Sequence, residues 1–77
     1  MTNNDILRRI RYAFDIKDNT MVDIFALADC KVTPAQVSAW LKKDEDDDLI
    51  TMKDRELAAF LNGFISFKFY NRIIKLN

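Results

Sequence analysis

The chain has 77 residues, the length of a single small domain, and 49% of them are hydrophobic. One cysteine and no histidine exclude an internal disulfide and leave too few side chains for a zinc site. Twelve basic residues balance twelve acidic ones, so the net charge of zero gives no overall attraction to nucleic acid or to an anionic membrane.

The first predicted helix starts after Asn3 or Asn4 and ends near Ile16. Its apolar residues recur at the three- and four-residue spacing of one helix side: Ile6, Leu7, Ile10, Ala13 and Phe14. The arginines of this segment lie away from that side. We therefore expect an amphipathic helix that buries one stripe against the rest of the domain.

A second, shorter helix is predicted from Thr20 to about Cys30. Thr20 and Asp23 resemble a capping box in which aspartate takes the place of the usual glutamate. The apolar residues of this segment again share one side: Met21, Ile24, Phe25 and Ala28.

The third helix has the clearest local signal in the chain, the sequence Thr33-Pro34-Ala35-Gln36. The threonine is suited to cap the helix, the proline fits the first helical position, and the glutamine can return the capping bond. After this cap, Val37, Trp40 and Leu41 are predicted to face the core. Lys42 and Lys43 are expected at the end of the helix, where the dipole favours positive charge.

The acidic run from Asp44 to Asp48 predicts a solvated loop, after which Leu49 and Ile50 are expected to return to the core. A longer fourth helix then starts at Thr51 or at Lys53-Asp54. Its apolar residues include Leu57, Phe60, Leu61, Phe64 and Ile65. No segment alternates for long enough to predict a strand, so residues 1–77 are expected to form one all-α domain, a compact bundle of four or five short helices.

Three blocks of this chain, Asn4–Ala13, Val37–Glu45 and Leu57–Ile65, resemble the YehS-like family (DUF1456) of small bacterial proteins of unknown function. The resemblance covers Thr2 to Lys68 and brings no activity or catalytic residues with it. Members of the family look like two tandem copies of such a unit, whereas this chain holds a single unit. The tail from Phe69 to Asn77 departs from the family pattern, which turns basic and polar there.

Catalysis is not expected, because an enzyme needs a nucleophile, a base or a bound metal, and these residue types are scarce here. Cys30 follows an apolar run and lies beside Asp29, which favours a structural role. The acidic run from Asp44 to Asp48 lacks the glycine and the ligand spacing of a calcium loop. We therefore predict no catalytic residue, no metal and no cofactor.

Self-association is the preferred functional prediction, because a 77-residue core is marginal on its own and the aromatic residues are concentrated late in the chain. Gly63, inside a helix, points to close packing by another helix or to a kink. The candidate homodimer interface is Phe60, Gly63, Phe64, Phe67, Tyr70 and Ile73. Without a membrane-spanning or signal segment, a cytoplasmic interaction or structural module is expected.

The alternative is a DNA-binding regulator with a helix-turn-helix-like unit at residues 20–43. The third helix would then lie in the major groove, with Gln36 able to reach adenine. The candidate DNA-contacting residues are Thr33, Gln36, Ser38, Lys42 and Arg8. The acidic run that follows this helix opposes docking, because it would be repelled by phosphates.

Overall fold

The computed structural model of the protein describes the backbone of residues 1–76 and the side chains of residues 1–70. Four helices follow one another in the chain: α1 (Asn3–Ala13), α2 (Asp18–Ala26), α3 (Pro34–Trp40) and α4 (Asp54–Leu76). No strand occurs within the described backbone, and the prediction of an all-α fold is confirmed. The last helix alone is about 35 Å long at 1.5 Å per residue.

The core forms where α2 packs against both α3 and α4. The ring of Phe25 lies at its centre, with its centroid 5.4 Å from that of Trp40 and 5.2 Å from that of Phe60. Complete burial of each such side chain contributes about 1.5–3 kcal/mol, so these three rings hold the helices together. Among residues 1–70, the buried hydrophobic residues are Leu7, Ile16, Met21, Ile24, Phe25, Val37, Trp40, Met52, Leu57 and Phe60.

Capping boxes start α1 and α3. The Thr33 hydroxyl accepts a hydrogen bond from the Gln36 N–H at 3.1 Å, and the Gln36 side chain accepts one from the Thr33 N–H at 2.8 Å, which confirms the predicted cap of α3. The same reciprocal pair joins Thr2 and Asp5 at the start of α1. The first helix therefore starts earlier than predicted.

Asn4 explains why α1 starts early, because its side chain is buried inside the domain. Its amide nitrogen donates to the carbonyl oxygens of Trp40, at 2.9 Å, and Ile50, at 2.8 Å. Its side-chain oxygen accepts from the Met52 N–H at 2.9 Å. Asn4 thus lies inside the helix and links α1 to the end of α3 and to the segment before α4, so its prediction as a possible cap was wrong.

The end of α1 is a tight left-handed turn that the sequence did not reveal. Asp15 has a φ of 51°, the Ile16 N–H donates to the Arg11 carbonyl at 3.0 Å, and the Asp15 N–H donates to the Tyr12 carbonyl at 3.3 Å. These two bonds form a Schellman motif. Glycine usually occupies the left-handed position of this motif, which is Asp15 here. The helix therefore ends at Ala13, and Ile16 is buried after the turn.

The second helix ends in the same way, with Asp29 at a φ of 56° and the Cys30 N–H donating to the Phe25 carbonyl at 3.0 Å. It begins at Asp18, with Lys17 at the cap position and no side-chain capping bond. The predicted capping box at Thr20 and Asp23 is therefore wrong, as is the predicted end at Cys30. After the turn that ends α1, the next helix starts at Asp18, two residues before Thr20.

The segment between α3 and α4 divides at Leu49. The acidic residues from Asp44 to Asp48 are all exposed, as predicted for a solvated loop, and Leu49 is half-buried. Ile50 points outwards with 55% of its surface exposed, whereas Met52 is buried in the core. The prediction that Ile50 returns to the core is wrong, because the bonds to Asn4 hold this backbone so that Met52 faces inwards.

Candidate interaction surface

One side of α4, which we call its inner side, packs against the core as far as Phe67. Leu57, Phe60 and Gly63 are buried, and Phe64 and Phe67 are half-buried against the same cluster. The rings of Phe60 and Phe64 stack with centroids 5.9 Å apart. These residues follow the spacing of one helix side, so most of the late aromatic residues belong to the fold of the single chain.

Two residues of the predicted interface therefore cannot form an exposed surface. Phe60 has no exposed surface, and Gly63 is buried against α2. Phe64 and Phe67 keep part of their surface, and Tyr70 is 62% exposed. Ile73 lies outside the residues whose side chains the structure describes.

Gly63 is the point where the backbones of α2 and α4 meet. A Cβ atom at this position would overlap the carbonyl oxygen of Ile24 and would lie 3.3 Å from its side chain. The close helix packing expected at this glycine is thus present. The approaching helix, however, is α2 of the same chain, because removal of the Cβ lets the two backbones come into contact.

The outer side of α4 carries exposed apolar residues at a four-residue spacing. Leu61, Ile65 and Phe69 are 38%, 68% and 65% exposed, and we call these three residues the outer ridge. The eleven residues from Leu57 to Phe67 include no charged side chain. A helix side that faces only water normally carries charges, so the ridge has the composition of a covered surface.

The distal half of α4 is attached to the end of α1 by an aromatic cluster. The rings of Phe14 and Phe64 meet edge to face with centroids 5.0 Å apart. The Lys68 ammonium lies 4.7 Å from the Phe14 ring centre and 5.8 Å from that of Phe64. This cluster fixes α4 from its inner side and leaves the outer ridge uncovered.

The residues of the alternative DNA-binding interpretation lie on two parts of the molecule. Thr33, Gln36 and Ser38 are exposed on α3, where the first two are joined in the capping box. Lys42 is half-buried beyond the end of this helix. The structure brings Arg8 next to Lys42, because the guanidinium donates to the Lys42 carbonyl.

Arg8 also pairs with two carboxylates. Its guanidinium contacts Asp5 one turn earlier in α1 and Asp44 in the acidic loop, the latter at 3.2 Å. The hydrogen bond from the Thr2 N–H, with the Thr2 hydroxyl and Arg8, holds the pKa of Asp5 below its usual value. Because these two carboxylates partly neutralise the charge of Arg8, its attraction to a phosphate is weakened.

Comparison with protein families gives a match over residues 3–68 to a model described as "Protein of unknown function (DUF1456)". The chain belongs to this family. One relative is the "Uncharacterized protein YehS" of Escherichia coli (strain K12), which is 38% identical over 65 residues. The resemblance seen in the sequence is thereby confirmed, and neither description names an activity or a ligand.

The matched region covers 84% of this chain but only 42% of the length of that relative. The chain therefore matches less than half of the length of that relative. No solved structure matches the chain. Among the described residues, no helix combines the length and the apolar character needed to cross a membrane.

Proposed function

We propose that this member of the DUF1456 family is a protein-interaction module that works as a homodimer and has no catalytic role. The outer ridge carries the proposal, because it exposes three large apolar side chains and the helix carries no charged residue from Leu57 to Phe67. A sequence without histidine and with one cysteine offers little for catalysis and supports a binding role. The lone thiol fits the reducing cytoplasm, which we propose as the location of the protein.

A second copy of the chain suits this surface because nothing in the total charge opposes it. Twelve basic and twelve acidic residues give each copy a net charge of zero, so two copies do not repel each other at long range. The relative also supports pairing: the 65 matched residues are 42% of its length, so the remainder could hold another unit of this size.

The test is the mass of the protein in solution across a concentration series. Sedimentation equilibrium from 1 to 200 μM, with ionic strength held constant, should give a mass that approaches twice 9.0 kDa. Standard protein interfaces have dissociation constants from micromolar to picomolar, so the dimer should predominate at the upper end of this series. A mass that stays at 9.0 kDa throughout would contradict the homodimer.

The second candidate function is DNA binding, which rests on the exposed side of α3 with Thr33, Gln36 and Ser38. A DNA-binding protein is retained on heparin and released by salt with a steep dependence, whereas a neutral interaction module passes through the column. Retention that is lost in the Ser38→Glu variant would favour this second function over self-association alone.

A further inference from the structure

We infer that the outer ridge of α4 is the contact between the two copies, and that the two helices cross beside Ile65 on a two-fold axis. This inference rests on the proposed homodimer and specifies its surface. It replaces Phe60 and Gly63, which belong to the core, by the three exposed residues of the ridge.

The side-chain rows of α4 fit a helix of the same sequence. Leu61, Ile65 and Phe69 form one row at four-residue spacing, and the neighbouring row is small, with Ala58, Asn62 and Ser66 exposed beside it. A row of large side chains next to a row of small ones makes a ridge beside a shallow groove. Two such helices interlock when the ridge of each lies over the small row of the other.

The crossing geometry follows from this row. Four-residue ridges that interdigitate on both helices give an angle of about −50° between axes that are 8–10 Å apart. A two-fold axis beside Ile65 brings the two copies of that residue close together and places Leu61 of each copy towards Phe69 of the other. A larger apolar side chain is thus set against a smaller one at both ends of the contact.

The ridge lies on a different side of α4 from the residues that hold the monomer together. At about 100° per residue, the mean direction of the three ridge residues is about 140° from that of the buried residues Leu57, Phe60 and Gly63. Pairing through the ridge therefore needs no rearrangement of the core. Each copy can fold first and pair afterwards, and a charge at Ile65 removes pairing without removing the fold.

Charge substitutions at Ile65 test the contact by sedimentation and circular dichroism. Ile65→Glu and Ile65→Lys, each alone, should keep the helical spectrum of the parent and weaken the dimer by at least about 30-fold, as expected for a central interface residue. An equimolar mixture of the two variants should recover a dimer, because opposite charges then meet at the axis. Ile50→Glu is the control, since Ile50 is similarly exposed beside Asn4, away from the ridge, and should remain a dimer.

A cysteine at the axis gives an independent measurement. In a Cys30→Ser background, Ile65→Cys should form a disulfide-linked dimer on mild oxidation, because the bond requires Cα atoms within about 4.4–6.8 Å. Ile50→Cys in the same background should remain largely uncoupled. This experiment keeps the inference testable if a charge at Ile65 prevents folding.

The outcomes separate the two proposals. A parent protein that stays monomeric contradicts the homodimer and, with it, the ridge contact. A dimeric parent whose Ile65→Glu and Ile65→Lys variants remain dimeric, without cross-linking of Ile65→Cys, contradicts the ridge contact alone. A dimer lost equally in Ile50→Glu also contradicts it, because the effect would then not depend on the position of the charge.

Discussion

The two ends of α1 are attached to the rest of the molecule by different chemistry. At its start, Asn4 makes three hydrogen bonds to the backbone, and Asn3 donates to the Met52 carbonyl at 3.1 Å and to Asp54 at 2.7 Å. At its other end, attachment depends on contacts between aromatic rings and a lysine, centred on Phe14. We refer to these regions as the polar end and the aromatic end.

The two kinds of attachment have different roles in the fold. Hydrogen bonds are directional and costly to leave unmade, so the polar end fixes one arrangement of α1, α3 and the segment before α4. The ring pair and the lysine–ring contact have preferred geometries, but they depend mainly on apolar burial and tolerate small shifts better than hydrogen bonds do. The aromatic end can therefore hold α4 from its inner side while the outer ridge remains available to another molecule.

The largest effect is expected at the polar end. Asn4→Ala should lower the free energy of unfolding by at least about 3 kcal/mol, because the buried Trp40 carbonyl, the buried Met52 N–H and the partly buried Ile50 carbonyl each lose a partner at about 1–3 kcal/mol. Thermal and urea unfolding measure the change. The matched control is Asn3→Ala, whose side chain is half-buried and should cost about 1 kcal/mol. Equal losses in the two variants would show that burial does not matter here.

A smaller loss is expected between the two ends, at Gly63. The added methyl group of Gly63→Ala would overlap the Ile24 carbonyl and push α2 from α4, with a loss of about 1–3 kcal/mol despite the better helix propensity of alanine. Ser66→Ala, on the exposed side of the same helix, should be neutral or slightly stabilising. A Gly63→Ala variant that melts above the parent would contradict the close contact.

Removal of the aromatic contact should cost less than either change. Phe14 is 51% exposed, so Phe14→Ala is expected to lower stability by about 1–2 kcal/mol, through its pairing with Phe64 and Lys68. Tyr12→Ala is the control, because Tyr12 is 87% exposed and should change stability by less than about 0.5 kcal/mol. If Phe14→Ala cost as much as Asn4→Ala, the contrast between the ends would be wrong.

A gain in stability is expected from a substitution in the left-handed turn next to the aromatic end. Asp15→Gly should raise stability by about 0.5–1 kcal/mol, because glycine adopts a φ of 51° more readily and the change removes a negative charge from a helix C-terminus. Asp23→Gly, inside α2, should instead lose about 1 kcal/mol. Changes of the same sign in both variants would show that the turn is not the cause.

The smallest effect concerns Asp5 at the polar end. Its pKa is lowered in the folded protein, chiefly by the hydrogen bond from the Thr2 N–H, so the ionised form contributes stability at neutral pH. That contribution is lost as the pH falls through the lowered pKa. The parent should therefore be more stable than Asp5→Asn near pH 7, and the two melting curves should converge on acidification below pH 4. A difference that grows as the pH falls would reverse the assigned direction.

Local signals in the sequence were sufficient where the structure is local. The capping box at Thr33 and Gln36 involves residues three apart, and the exposed run from Asp44 to Asp48 follows from its charge. The helical class follows from apolar spacing. Each of these features depends on neighbours in the chain, which the sequence displays directly.

The features that the sequence did not reveal depend on distant residues or on an unusual backbone. Asn4 reads as a helix cap, and only contacts with residues 36 to 48 positions away show that it is buried. The turns at Asp15 and Asp29 carry no glycine to mark them. In α4, apolar residues occur on both sides, so spacing alone could not tell the covered side from the outer ridge.

Gly63 also separates two parts of α4 whose backbone amides are expected to exchange at different rates. It is the last buried residue of this helix among those with described side chains, and from Phe64 to Tyr70 every residue is at least partly exposed. Backbone amides near Phe60 should exchange with deuterium only when the whole domain unfolds, whereas those near Tyr70, where the side chains are exposed, should exchange through local opening of the helix. In a pair of copies, the amides along the outer ridge would slow towards the rate of the core, and α4 would open and close as one unit.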